Sequence, residues 1–305
     1  MNDDKVREVN LINRSKGVHF VLKCIAPFLG LMPKTLYKFR YWVKSGKKLN
    51  IKNPTELQGW IIADYYKTIR NRQMLDELAR LTDKLAVRDF VKERIGEKYL
   101  TSLIGSWEKV SDVDFSILPP DCVVKTNNGC GTNMILRADK PRDEKAMRAT
   151  LKDWMSYTYG KLSAMPHYTA IKPMILAEEY LIQNPETDEL PYDYKFFCFN
   201  GRPEFVLFYS GRRPNSHKTF NMVYDRRWQP VADSVRRPGR DEMPRPEVYD
   251  EMLEVAAKLS AGFRFVRVDL YAIGKRIVFG EMTFTPDVYI NFTDRFLADS
   301  LKYVK

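Results

Sequence analysis

A chain of 305 residues that is 44% hydrophobic and 29% charged has material for two or three compact units with real cores, which excludes a disordered polymer. Its four cysteines (Cys24, Cys122, Cys130, Cys198) lack CxxC spacing, and there are only three histidines. Neither a zinc site nor a disulfide framework is indicated, His-centred catalysis has little to draw on, and a reducing, cytoplasmic compartment fits best.

The net charge of +11 is unevenly placed: residues 1–50 hold eleven Lys and Arg against Asp3, Asp4 and Glu8, a local +8 that leaves +3 for the remainder. Within this region GVHFVLKCIAPFLGLMP (17–33) is apolar but interrupted by Lys23 and Pro27, too short to span a bilayer and without a signal-peptide cleavage pattern. It reads either as a core helix with basic solvent-facing residues or as a segment lying on an anionic membrane or polymer. Residues 1–75 are expected to be mainly helical, running into the amphipathic stretch ELQGWIIADYYKTIRNRQMLDELARL.

A mixed α/β region then begins. DKLAVRDFVKERIG should be a helix with Asp83 near its start. SILPPDCVVKTNNGCGTNMIL reads as a Pro-Pro break, the strand CVVKT, a small polar loop and the strand NMIL. DEKAMRATLKDWMSYTYGKL is helical, ILAEEYLI a strand, and YDYKFFCFNGRPEFVLFYS a hairpin turning at Asn200-Gly201. PEVYDEMLEVAAKL places Met252, Val255, Ala256 and Leu259 on one helical stripe. FRFVRVDLYAIGKRIVFGEMTFTP (263–286) closes the series as two strands joined around Gly274. The expected partition is 1–75, 76–175 and 176–305.

Two places carry chemistry. In the last hairpin, strand alternation puts Arg267 and Asp269 on one face and Glu281 and Thr283 on one face of its partner. If the faces coincide, a cation and two carboxylates meet on a rigid support suited to Mg²⁺ and a nucleoside triphosphate; the other reading is a solvated charged face. In NNGCGTN (127–133), glycines let backbone amides approach phosphate oxygens, with Lys125 adjacent. It is neither a Walker A motif nor GxGxxG, and a plain hairpin turn is the competing reading.

The order of motifs adds to these. LNIKNPTELQGW, Asp83-Lys84, VVKTNNGCGTN, AEEYL, DYKFFCFNG, FVRVDLY and GEMTFTP follow one another with ATP-grasp spacing. From about residue 35 onward the chain resembles the TupA-like ATP-grasp family, named for teichuronopeptide biosynthesis. The resemblance implies an α+β ATP-grasp fold, two α/β subdomains gripping ATP after a basic helical N-terminal region. It implies that Lys84 and Lys125 contact ATP phosphates, that the loop around Gly129 and Gly131 covers them, and that Glu178, Glu179, Tyr180 and Leu181 form the adenine hinge. Asp193 falls at the ribose acid and Lys195 points toward the phosphates. Asp269, Glu281 and Thr283 match the Mg²⁺ ligands, with Thr283 standing where many relatives have Asn. Arg267 matches the arginine that neutralises developing charge. Arg212, His217 and Lys218 form a polar loop that either closes over the γ-phosphate or an acidic substrate, or is simply solvated. Two departures stand out. Asn128 replaces the usual His, and Asp287 replaces a Gly-rich turn, where its carboxylate is placed to meet an incoming ammonium.

The implied reaction is ATP-dependent ligation of a carboxylate to an amine through an acyl phosphate, with ATP and Mg²⁺ as cofactors. A uronic acid of a cell-surface polysaccharide is the expected carboxylate and an amino acid or peptide the amine. A basic N-terminal region suits an acidic glycan or peripheral attachment to the inner membrane face. A glycosyltransferase of the same pathway and a non-catalytic module binding anionic polymer or membrane are the alternatives. No nucleic-acid recognition motif accompanies the charge.

Overall fold

The computed structural model describes residues 32–157, 159–214, 219–236 and 243–304. The helical expectation for residues 1–31, most of the apolar stretch 17–33, and the placement of His217 and Lys218 lie outside the described residues. The chain forms two compact units, each built from two segments. One comprises Met1–Phe39 and Ser102–Tyr180, the other Arg40–Thr101 and Leu181–Lys305. The consecutive partition 1–75, 76–175 and 176–305 cuts the chain differently, because compactness follows contacts between distant segments rather than shifts in composition.

In the first unit, strands β1 (Leu103–Trp107), β2 (Cys122–Thr126), β3 (Asn133–Leu136) and β4 (Ile175–Glu179) form an antiparallel sheet in the order β1-β4-β2-β3. CVVKT alternates buried and half-buried, so Cys122 and Val124 join a core with Met147, Leu151 and Trp154. Those last three lie on a helix, Glu144–Met155, whose first turn is capped by the Asp143 carboxylate accepting from Ala146 N at 3.0 Å. Arg142 satisfies the carbonyls that the Pro-Pro break leaves without strand partners, donating to Leu118 and Pro120 at 3.0 Å each.

The second unit is a five-stranded antiparallel sheet, β7-β6-β5-β8-β9, from β5 (Tyr192–Phe199), β6 (Arg202–Ser210), β7 (Phe220–Asp225), β8 (Phe265–Ile273) and β9 (Arg276–Thr283). Asn200 and Gly201 both take positive φ (49° and 77°), the backbone of a two-residue hairpin turn. One face of the sheet presents Phe196, Val266, Val268 and Leu270, all buried, and the helix Tyr249–Ser260 lies against it, with Phe196 stacked on Tyr249. On the other face Phe197, Phe199 and Phe205 pack against Phe292, Phe296 and Tyr303. Further along that same face the residues become charged: Asp193, Lys195, Arg267 and Asp269 share the parity of Phe197 and Phe265.

Before this sheet come helices α1 (Pro33–Ser45), α2 (Leu57–Thr68), α3 (Arg72–Thr82) and α4 (Val87–Arg94). The stretch expected as one amphipathic run is two helices, because the Asn71 side chain accepts from Gln73 N and Met74 N and starts α3 anew. Buried Gln58 on α2 accepts from Val288 N at 2.8 Å and so fixes the segment that follows β9.

Candidate active site

The last hairpin aligns as alternation required. Arg267 pairs with Thr283 and Asp269 with Glu281 across β8 and β9. The register then slips by one residue between Asp269 and Leu270, leaving Gly280 as the unpaired bulge. A Cβ at Gly280 would lie 3.1 Å from both Asp269 O and the Tyr271 ring, so the bulge needs glycine for clearance. Because of it, Ile277, Phe279 and Met282 all turn to the core while Glu281 and Thr283 stay with Asp269.

Asp269, 1% exposed, is the centre of an ion cluster. Arg267 donates to both its oxygens at 2.6 Å, and Lys195 Nζ reaches Oδ2 at 2.5 Å. The same guanidinium donates to Glu281 Oε1 at 2.7 Å and to Thr283 Oγ1 at 3.0 Å, and Thr283 donates to Glu281 at 2.6 Å. Lys195 also lies 2.8 Å from Asp193, whose other cation is Arg212 at 3.2 Å. Three carboxylates therefore face three cations, and the cluster is neutral as a whole.

The pKa directions follow from that balance. Burial opposes the charges on Lys195 and Arg267, but the surrounding carboxylates outweigh it and raise both. For Asp269 burial prevails over Arg267 and Lys195, and its pKa is raised. Burial also pushes against the Glu281 charge, yet Arg267, Lys195 and Lys84 overcome it and bring the carboxyl down to about 2. Lys84 is thus within the field of Glu281. It follows Asp83, whose carboxylate accepts from Leu85 N at 2.8 Å and shapes the turn before α4.

The residues fit a Mg²⁺ ion in the chemistry of their donors. Two carboxylates and a hydroxyl are hard oxygen ligands, and a single guanidinium touches all three groups, so they converge on a point where positive charge is already accommodated. Among the described residues no group of three or more His, Cys, Asp or Glu side chains is placed to hold a metal. Two carboxylates suffice where phosphate oxygens and water complete the shell.

In the first unit, Lys125 on β2 and Glu178 on β4 form a pair at 2.5 Å, both largely buried. The loop between β2 and β3 is more than a turn. Asn127 is fully buried, donates to Lys172 O at 3.0 Å and accepts from Met174 N at 2.7 Å, while Thr126 and Thr132 hydroxyls bond at 2.8 Å across its mouth. Gly131 takes φ 76°; Gly129 has no such requirement, and a Cβ there would make ordinary contact with the Tyr159 side chain at 3.7 Å and Thr132 Cγ2 at 4.0 Å. Glu179 accepts from Ser102 N at 2.8 Å, and the Arg137 guanidinium lies 4.9 Å over the Tyr180 ring. Tyr180 ends the first unit and Leu181 begins the return to the second.

Two sequence expectations meet a different environment. Asp193, expected at a ribose, is only 2% exposed and serves as counter-ion to Lys195 and Arg212, with Oδ1 buried and unpaired. Asp287 does meet an ammonium, but from this chain: Lys44 Nζ at 3.4 Å. Sequence reasoning missed the tie of Arg212 to Asp193 and the Pro191 carbonyl, since a loop residue's partner on the neighbouring strand leaves no local signal.

A model of the TupA-like ATPgrasp family matches residues 65–302. No curated protein matches the chain. Similar solved structures include a D-alanine–D-alanine ligase from Bacillus anthracis at 15% identity and TM-score 0.42, covering 73% of this chain and 63% of that one. The ATP-grasp ligase PsnB complexed with a minimal precursor is 14% identical with TM-score 0.37, covering 68% and 53%. The macrocyclase MdnC bound with precursor peptide MdnA, from Microcystis aeruginosa MRC, is 10% identical with TM-score 0.38, covering 75% and 62%. The chain thus spans between 53% and 63% of the length of these structures.

Proposed function

The chain belongs to the TupA-like ATP-grasp family and has the ATP-grasp fold, and from that premise we propose that it is an ATP-dependent carboxylate–amine ligase. A substrate carboxylate takes the γ-phosphoryl group of ATP, and an amine then displaces phosphate to leave an amide, ADP and phosphate. The observation that carries this function is the convergence of Lys195, Arg267, Asp269, Glu281 and Thr283 on one sheet face.

Each side chain has a task set by its position. Arg267 and Lys195, permanently charged and held by carboxylates, present fixed positive charge where negative charge develops, with no reorganisation needed at the moment of reaction. Asp269, Glu281 and Thr283 would hold Mg²⁺, which when bound neutralises phosphate charge and aligns the transferring group. Lys84 adds a cation on the Glu281 side of the cluster. Lys125 is a phosphate-binding cation in waiting, held by Glu178 until an anion competes for it. The loop carrying Gly129 and Gly131 supplies backbone amides to phosphate oxygens, stapled at its base by Asn127. Backbone groups of Glu178 to Leu181 read adenine. Asp193 keeps Lys195 and Arg212 oriented. Lys218, beyond the described residues, belongs to the loop expected to close over the phosphates.

For the substrates we favour a uronic acid of a cell-surface polysaccharide and an amino acid or peptide amine, in keeping with the family's namesake pathway and the +11 charge of the chain. Titration calorimetry of ATP with Mg²⁺ tests the site. Wild type should bind ATP, and Asp269→Asn/Glu281→Gln should lose Mg²⁺-dependent binding while Lys125→Met weakens it. Screening uronic acids with amines for ADP release then tests the chemistry. A folded wild type that binds no nucleotide in either assay would sink the proposal.

A further inference from the structure

Asp193 answers two cations with one oxygen. Lys195 Nζ stands 2.8 Å from its Oδ2 and Arg212 Nη1 3.2 Å from the same atom, while Oδ1 is buried and meets no donor among the described residues. A carboxylate and a guanidinium frequently close as a two-pronged fork. Here that fork is not formed: Arg212 Nη2 donates instead to Pro191 O at 2.9 Å, and Nε is buried without an acceptor among the described residues. The backbone fixes Arg212 in this end-on posture. Just past β6, Gly211 takes φ 71°, a left-handed turn that glycine adopts without strain. Its N–H donates to Glu189 Oε1 at 3.0 Å, and the Arg212 carbonyl accepts from Leu190 N at 2.8 Å. Tyr209 and Tyr271 stand opposite Asp193 on the two neighbouring strands, β6 and β8. Lys195 Nζ lies 5.8 Å from the Tyr209 ring centre, and the Arg212 guanidinium 5.8 Å from that of Tyr271. Each cation thus rests near an aromatic face of its own while sharing the carboxylate.

Sharing one oxygen divides its pull. Lys195 Nζ is also 2.5 Å from Asp269 Oδ2, so it is suspended between two carboxylates. A guanidinium holds each of them as well, Arg212 on Asp193 and Arg267 on Asp269. Without Arg212, Asp193 has no other cation paired to it among the described residues. Being only 2% exposed, it would place its whole charge on the ammonium of Lys195. A lysine held that firmly is lost to an incoming phosphate. We propose that Arg212 is a positioning residue: by taking a share of Asp193 Oδ2, it leaves Lys195 free to turn its ammonium to the phosphates of ATP. The proposal rests on the ligase function. It differs from both sequence readings of Arg212, which close it over the γ-phosphate or an acidic substrate, or leave it solvated.

Titration calorimetry of the full chain with Mg-ATP is the test. Wild type should bind, and Arg212→Gln should bind at least about tenfold more weakly, the scale of one hydrogen bond to a charged group. Arg212→Lys, which keeps the cation, should stay within about threefold of wild type. Adding Asp193→Asn to Arg212→Gln should return the affinity to within about threefold, since no stranded carboxylate then detains Lys195. A merely structural Arg212 predicts a further loss in that double variant instead. Melts without nucleotide read the same sharing should Arg212→Gln prove too unstable to titrate. Arg212→Gln and Lys195→Met together should lower the melting temperature by more than the sum of their separate effects, because Asp193 then keeps no cation. Asp193→Asn should remove that excess. Unchanged affinity in Arg212→Gln, no recovery with Asp193→Asn, or additive melts would overturn the proposal and leave the ligase function standing. A folded wild type that binds no Mg-ATP would overturn both.

Discussion

Lys195→Met removes the cation shared by Asp193 and Asp269 while keeping most of the side-chain volume. Those carboxylates are 3% and 2% exposed at the side chain and lie 2.8 and 2.5 Å from Nζ. Removing one partner of a buried ion pair costs about 3–5 kcal/mol, mainly through the charge left behind. Here each carboxylate keeps a guanidinium, Arg212 on Asp193 and Arg267 on Asp269, so the low end, about 3 kcal/mol, is expected at neutral pH. For a unit of this size that is a fall of roughly 6–12 °C in melting temperature. The sign of the pH dependence is fixed by Asp269, whose pKa is already raised by burial and rises further in the variant. The native state then holds a proton that the unfolded chain releases above its ordinary value, so stability grows as pH falls from neutral toward the ordinary carboxylate range. Asp193→Asn added to Lys195→Met should return part of the loss by removing one stranded charge. Thermal melts of the three proteins across that range decide the matter. An unshifted melt for Lys195→Met, or a deficit that neither acid nor Asp193→Asn relieves, would show that the cluster is solvated and the electrostatic account mistaken.

Two other outcomes follow from the same hairpin. The Glu281 pKa near 2 means that its ionised form contributes stability above the unfolded value near 4.5, and that the contribution vanishes as pH falls through about 2. The side chain is 42% exposed, so the contribution is discounted to about 1–2 kcal/mol, and Glu281→Gln should flatten that acid limb in denaturant titrations. Gly280→Ala should destabilise by about 1–2 kcal/mol, because its Cβ meets backbone and a ring at 3.1 Å with little room to yield. It should also weaken nucleotide binding in calorimetry by displacing the strand that carries Glu281; full retention of affinity would show that the bulge does not set the carboxylate's position.

The hairpin was legible in the sequence because alternation of two fixes faces, and Arg267, Asp269, Glu281 and Thr283 indeed share one. The Asn200-Gly201 turn was legible because its backbone demands those residues. What stayed hidden depends on contacts far apart in the chain. The slip at Gly280 is marked only by one glycine in a strand pattern, which the alternation reading passed over, and β1, in TSLIGSW, lacks both alternation and β-branched density. Asp193 looks like any strand acid until Arg212 and Lys195 are seen closing on it. The break between α2 and α3 was written in Asn71, yet the apolar periodicity runs on through it and masks the cap.

The two ends of segment 102–180 meet at a single point. Glu179 N donates to Ser102 O at 3.0 Å, and Ser102 N donates back to the Glu179 carboxylate at 2.8 Å. The second unit therefore pauses at Thr101, one residue before this contact, and resumes at Leu181, two residues after it. An insertion entering and leaving through so narrow a doorway makes small demands on its host. A short peptide joining Thr101 to Leu181 could close the gap, leaving the cluster of Lys195, Arg267 and Asp269 on an uninterrupted scaffold. The loop of Gly129 and Gly131, with Lys125, would then behave as a removable cassette, open to replacement without redesigning the sheet that bears Asp269 and Glu281.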